Sequence, residues 1–221
     1  MKFKLTLLAF VLCNLVGAQL PNGFSYVESV IPSIKVELRY LSDNNFVGKR
    51  IDGYITEKAI LSTPATMALK KVQEELKAYD LSIMIYDSYR PQQAVDHFMR
   101  WARDLNDTIN KHRFYPDVAK RHLFKEEYIA TRSGHSRGST LDITLVDLST
   151  CEALDMGSPY DFFGMESWVN NKDLTPQQRA NRMLLQSIML KHGFRNYPKE
   201  WWHFTLRAEP FPDTYFNFPV Q

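Results

Sequence analysis

The sequence predicts an α+β domain, with helices packed on a mainly antiparallel central sheet. Three observations support this. Three separate stretches carry apolar residues at helical spacing. Short apolar or alternating runs of strand length lie between them. The two kinds of element do not alternate regularly, as a parallel βαβ fold would require. With 221 residues, 44% hydrophobic and 24% charged, the chain can bury one sizeable core.

Ile34 to Tyr40 alternates apolar and charged side chains, the period of a half-buried strand. Asn44-Asn45, Gly48 and Asp52-Gly53 mark turns. Thr63-Pro64 opens the first helix, with a capping hydroxyl followed by proline. Leu69, Val72, Leu76 and Tyr79 form its apolar face, and Asp80 ends it. Leu81 to Tyr86 reads as a strand. Arg90-Pro91 leads into a second helix whose apolar face is Ala94, Val95, Phe98, Trp101, Ala102 and Leu105. Residues 106–130 are less regular, with a short helix expected over Phe124 to Tyr128. A strand runs from Asp142 to Val146. Thr175-Pro176 starts a third helix with core residues Ala180, Met183, Leu184, Ile188 and Leu190, closed by His192-Gly193. Phe194 to Tyr197 and Glu200 to Leu206 are the last strands, separated by Pro198. The tail, with Pro210, Phe211, Pro212 and Phe216, is expected to pack as an aromatic strap.

The chain begins Met1-Lys2-Phe3-Lys4, continues apolar from Leu5 to Val16, and reaches the small residues Gly17-Ala18. That order is the pattern of a secretory signal peptide. Residues 1–18 are read as the signal peptide and 19–221 as one catalytic domain, periplasmic or secreted. The apolar run is too short for a stable membrane span. Cys13 raises lipoprotein processing as an alternative, but bulky Leu12 precedes it, which favours cleavage after Ala18. Lys2 and Lys4 account for the net charge of +2. The balanced remainder gives no electrostatic case for nucleic acid or an anionic membrane. Cleavage leaves Cys151 as the lone cysteine, so neither an internal disulfide nor a cysteine metal cluster is available.

Two segments carry the chemistry. Ser133-Gly134-His135-Ser136-Arg137-Gly138-Ser139-Thr140-Leu141-Asp142 joins a histidine to an aspartate through a glycine-bracketed bend. Glu200-Trp201-Trp202-His203 adds a second histidine and another carboxylate. Each of the six histidines alone is more often structural than a ligand. The joint pattern of His135, Asp142 and His203 favours one zinc with an open position, the arrangement of a catalytic site. Residues three apart on a straight strand face opposite sides, so Glu200 must lie in a bend before its strand to reach the same metal.

These motifs resemble the D-alanyl-D-alanine dipeptidases of the vancomycin-resistance type, within the wider zinc DD-peptidase and Hedgehog-like group. Ser133 to Asp142 is similar to the SxHxxGxAxD metal motif, with Thr140 in place of alanine, and Glu200 to His203 to the ExxH motif. Tyr89-Arg90-Pro91, Leu38-Arg39-Tyr40, Asn45-Phe46, Gly53-Tyr54 and Asp155-Met156-Gly157 with Asp161-Phe162 narrow the resemblance to the dipeptidases. It implies one zinc ion per chain on His135, Asp142 and His203, with Glu200 as catalytic base and Arg90 beside the scissile bond. Asp87 is expected to orient Arg90 through a bidentate pair. Ser133 and Asp161 are candidates for the ends of a small dipeptide substrate. The implied reaction is hydrolysis of D-Ala-D-Ala or a related D,D-dipeptide in cell-wall metabolism. A DD-carboxypeptidase acting on peptidoglycan stems, or a catalytically silent zinc module, are the alternatives; a base at Glu200 argues against the silent module.

Overall fold

A computed structural model describes residues 19–221. The signal peptide expected over residues 1–18 lies outside them. Among the described residues, no helix is long and apolar enough to cross a membrane.

In chain order the elements are β1 (Phe24–Tyr26), α1 (Val27–Val30), β2 (Lys35–Val36), β3 (Ile60–Ser62), α2 (Thr63–Leu76), β4 (Leu81–Asp87), α3 (Gln92–Arg103), α4 (Lys111–Phe114), β5 (Thr140–Asp147), α5 (Pro176–Lys191), β6 (Phe194–Tyr197) and β7 (Glu200–Leu206). A five-stranded sheet has the order β2-β4-β5-β7-β6, and β1 pairs with β3 separately. The short edge pair β2–β4 is parallel; every other pair is antiparallel. The expected α+β architecture is therefore the observed one. Helices α2 and α5 pack together on one face of the large sheet. The polar site is built on the other, beneath α3 and the long connections.

Register places the functional residues. In the β4–β5 ladder Ile85 faces Ile143, but the next recorded partners are Asp87 and Asp142. Two residues of β4 thus oppose one of β5, which is a β-bulge. The bulge moves Asp87 onto the face of Asp142. Asp142 pairs in turn with His203 on β7. Directly paired residues share a face, so Asp87, Asp142 and His203 form a row across three strands.

Several local expectations are corrected. The strand expected from Ile34 to Tyr40 is only Lys35–Val36, followed by a 3-10 turn over Arg39–Leu41 that takes Tyr40 into the core. Thr63 lies inside α2 and does not cap it. Ser62 occupies the cap position without capping, its hydroxyl instead sharing a 2.7 Å bond with Ser139. Tyr79 and Leu105 fall beyond their helices and are exposed. Residues Phe124 to Tyr128 form turns, not a helix. Thr175 does cap α5, in a reciprocal box with Gln178.

The buried face of α5 is also rotated from the expected one. Ala180 and Met183 are exposed, while Arg182, Leu185, Ile188 and Met189 are buried. Arg182 is buried because its guanidinium donates to the carbonyls of Met156 at 2.6 Å, Trp168 at 2.8 Å and Glu166 at 2.7 Å. A pattern that counts arginine as solvent-facing misses this, since a buried cation is tolerated once hydrogen-bonded. The tail behaves as expected. Phe24 is ringed by Phe211, Phe216 and Phe218, and Phe218 stacks on Tyr89 at 4.0 Å.

Candidate active site

The turn from Ser133 to Gly138 is a single 3-10 segment over Gly134–Arg137, with the Ser133 hydroxyl accepting from the His135 amide. Gly138 closes it at φ +80°, and a Cβ there would lie 2.2 Å from the Phe24 ring. Glycine is thus required both by backbone and by the aromatic strap. The turn returns the chain so that His135 faces the start of β5.

Three donor atoms converge. His135 Nε2 and His203 Nδ1 are 3.4 Å apart. Asp142 Oδ1 lies 3.4 Å from the first and 3.1 Å from the second. Donors about 2.0–2.1 Å from one tetrahedral zinc ion stand about 3.3 Å from each other. The triangle therefore fits such an ion. The hydrogen bonding points the same way. Asp142 Oδ1 is buried, makes no well-formed hydrogen bond among the described residues, and has the two imidazole nitrogens as its neighbours, the surroundings of a shared metal ligand. His135 Nδ1 lies 2.7 Å from the Ser88 carbonyl. A carbonyl can only accept, so Nδ1 carries the proton and Nε2 keeps its lone pair for a metal. The His/His/Asp set can bind one Zn2+.

Around this triangle the expected residues are gathered. Glu200 Oε2 is 3.2 Å from His203 Nδ1. Glu200 is the first residue of β7 and not part of a preceding bend, which corrects the sequence expectation. Its position comes from an irregular register: Asn196 pairs with Phe204, yet Tyr197 pairs with Glu200. Trp201 to His203 thus have no partner on β6, and across this break in register Glu200 lies beside His203. Arg90 donates from Nε to Asp87 Oδ2 at 2.8 Å, and its Nη2 reaches the same oxygen at 2.8 Å. The pair is a fork on one oxygen, not the bidentate pair across both that was expected. The other oxygen is already taken, because Tyr54 donates to Asp87 Oδ1 at 2.6 Å. Arg90 Nη2 also lies 3.5 Å from Asp142 Oδ2. Ser133 and Asp161 line the same cavity of about 480 Å³ as the three donors, Arg90 and Glu200. Every residue singled out for the site is therefore in or against one cavity.

Sequence reasoning missed three tyrosines. The Tyr160 hydroxyl is 3.1 Å from Asp142 Oδ2 and 3.2 Å from the Tyr40 hydroxyl. Tyr40 donates to Asp161 Oδ2 at 2.9 Å. With Tyr54 they sheathe the carboxylates from water. Tyr40 and Tyr54 sit within segments that carried the resemblance, but nothing in their spacing marks a hydroxyl as a partner of a distant carboxylate.

The electrostatics follow from this burial. Desolvation works against the charge on Asp142, but His135 and His203 overcome it and hold its pKa well below the usual carboxylate range. Asp161 is pushed well above that range, by burial and by the Asp142 carboxylate, with Arg90 and the Tyr40 hydroxyl opposing. Asp161 also has a left-handed backbone, φ +62°, which aspartate tolerates better than most residues. For His203, burial disfavours the cation, but Asp142 and Glu200 outweigh it and push its pKa up to about 9. In the metal-free protein His203 is thus protonated at neutral pH, and zinc must displace that proton. Apparent zinc affinity is expected to rise about tenfold per pH unit between roughly pH 6 and 9. Competition against a chromophoric chelator measures this; an affinity flat across that window would mean that His203 has no proton for zinc to displace there.

Comparisons with known proteins agree with the site. The family model described as D-ala-D-ala dipeptidase, Peptidase M15, matches residues 21–221. A D-alanyl-D-alanine dipeptidase of Streptomyces coelicolor is 40% identical over 199 residues, covering 90% of this chain and 98% of its own. One of Enterococcus faecalis is 39% identical over the same shares. One of Escherichia coli is 31% identical over 83% of this chain and 84% of its own. A match of this extent, laid over a zinc-competent His/His/Asp triangle, leads to one conclusion: the chain belongs to the D-Ala-D-Ala dipeptidase family of metallopeptidases.

Proposed function

We propose that this protein hydrolyses the peptide bond of D-Ala-D-Ala or related D,D-dipeptides in cell-wall metabolism, with one zinc ion held by His135, Asp142 and His203. The observation that carries the reading is the donor triangle of 3.1 to 3.4 Å with Glu200 beside it at 3.2 Å. A zinc ion in that position supplies Lewis acidity, polarising a peptide carbonyl and lowering the pKa of water.

The side chains take the remaining work. Glu200 removes a proton from the attacking water and returns it to the departing amine. Arg90, fixed by Asp87, stabilises the developing oxyanion; a donor in that role contributes about 3 kcal/mol to the transition state. Asp161 receives the substrate ammonium. Its carboxyl is buried, and burial and the Asp142 carboxylate outweigh Arg90 in raising its pKa, so an arriving cation favours its ionised form. The Ser133 oxygen accepts from the His135 amide at 3.3 Å, which leaves its own hydrogen to donate to the substrate.

The proposal includes export. A basic start, an apolar run and Gly17-Ala18 support a signal peptide over residues 1–18 and a mature domain of residues 19–221, placing the enzyme in the periplasm or outside the cell. Intact-mass measurement of the exported protein is expected to give a chain beginning at Gln19.

Product analysis tests the reaction itself. Zinc-loaded protein is incubated with D-Ala-D-Ala, L-Ala-L-Ala and a stem pentapeptide ending in D-Ala-D-Ala. Release of D-alanine from the free D,D-dipeptide, and little from the other two, is the expected outcome. Preferential trimming of the pentapeptide would make the protein a carboxypeptidase instead, and no hydrolysis at all would leave a silent zinc module.

A further inference from the structure

A free dipeptide carries an ammonium at one end and a carboxylate at the other. The cavity is lined by four carboxylates, Glu127, Asp142, Asp161 and Glu200, and by two guanidiniums, Arg90 and Arg132. Arg90 is committed to Asp87 and sits near Asp142. Arg132 has no ion pair or hydrogen bond through its side chain among the described residues. It is positioned all the same. Its guanidinium carbon lies 5.0 Å from the centre of the Tyr215 ring, and the preceding carbonyl, of Thr131, accepts from Gln92 at 3.2 Å.

Arg137 provides a contrast on the same ring. It too lies against Tyr215, at 5.7 Å, but it is neutralised by Glu209 through contacts of 2.7 and 2.8 Å. Two arginines therefore share one tyrosine. One has a carboxylate partner in the protein, and the other lines the substrate cavity without one. Stacking on an aromatic face leaves the edge of a guanidinium available, and that edge matches a carboxylate bidentately.

We propose that Arg132 receives the C-terminal carboxylate of the substrate and so makes the enzyme selective for peptides with a free carboxyl end. The assignment rests on the dipeptidase reading above. It also separates charges within the cavity: Asp161 holds the ammonium, Arg132 the carboxylate, and the scissile bond lies between them at the metal ligands and Glu200.

The test uses a zinc-loaded Glu200→Gln background, so that ligands bind without being consumed. D-Ala-D-Ala and its C-terminal amide are titrated calorimetrically into that protein and into the same protein carrying Arg132→Ala or Arg132→Lys. With Arg132 present, the free acid is expected to bind at least about tenfold more tightly than the amide. Arg132→Ala is expected to weaken the acid about 10- to 100-fold, the range of a charge-assisted hydrogen bond, and the amide less than about threefold. Arg132→Lys keeps part of the preference, because the charge remains without the planar fork. Retained amide binding shows that the variant is folded and its cavity intact. Equal weakening of acid and amide, or an undiminished preference for the acid in Arg132→Ala, would overturn the assignment and leave the dipeptidase reading standing. If neither ligand binds the background protein, the dipeptidase reading fails and the assignment of Arg132 falls with it.

Discussion

Replacing Glu200 with glutamine is expected to leave zinc bound and to lower kcat by about 100- to 10,000-fold, the range that general-base assistance contributes. Glutamine keeps the size and the hydrogen-bonding oxygen of the side chain but cannot accept a proton at neutral pH. The donor triangle does not include Glu200, so metal content should stay near one ion per chain. KM should change much less than kcat, because the proposed mechanism assigns the substrate ends to other residues. Arg90→Ala provides a comparison with a different cause. There the proton acceptor survives and oxyanion stabilisation is lost, so kcat falls by about 100- to 1,000-fold with zinc again retained. Metal analysis beside steady-state kinetics on each variant checks both. Release of zinc by Glu200→Gln would make Glu200 a ligand; near-normal turnover would assign the base elsewhere.

The second large effect is loss of the metal itself. Chelation of the wild-type enzyme should abolish hydrolysis, and readdition of zinc should restore it. His203→Ala should bind substoichiometric zinc and show no recoverable activity at micromolar metal. The fold should survive this change better than the site does. His203 is only half-buried, and the core against α2 and α5 does not depend on it. Asp142 is a different case. It is buried between His135, His203, Arg90 and Tyr160, and removing its carboxylate leaves several buried groups without a partner. Asp142→Ala should therefore lose thermal stability as well as zinc, because an uncompensated buried charge is strongly destabilising. Melting temperature and metal content, measured together with and without added zinc, separate the two variants. Undiminished turnover in metal-free wild type would end the metallopeptidase reading of this site.

Much of this protein was determined by local sequence. The apolar faces of α2 and α3, the start of α5 at Thr175-Pro176 and the strands β4 to β7 follow from side-chain periodicity, prolines and capping groups. The joint pattern of His135, Asp142 and His203, together with the resemblance its motifs carry, pointed to the ligand set as well. Register was not local. Whether Asp87 joins the row of Asp142 and His203 depends on a one-residue bulge in β4, and a slip of one residue reverses the face of a side chain. Whether Glu200 reaches His203 depends on the irregular pairing of β6 with β7. The buried face of α5 turned on Arg182 finding three carbonyls remote in sequence. The tyrosine sheath of Tyr40, Tyr54 and Tyr160 arises only when separate connections fold over one face of the sheet. Residue types and short spacings therefore determined which chemistry was available, while strand register and long-range hydrogen bonds decided which atoms meet, because those depend on partners that no local window of sequence contains.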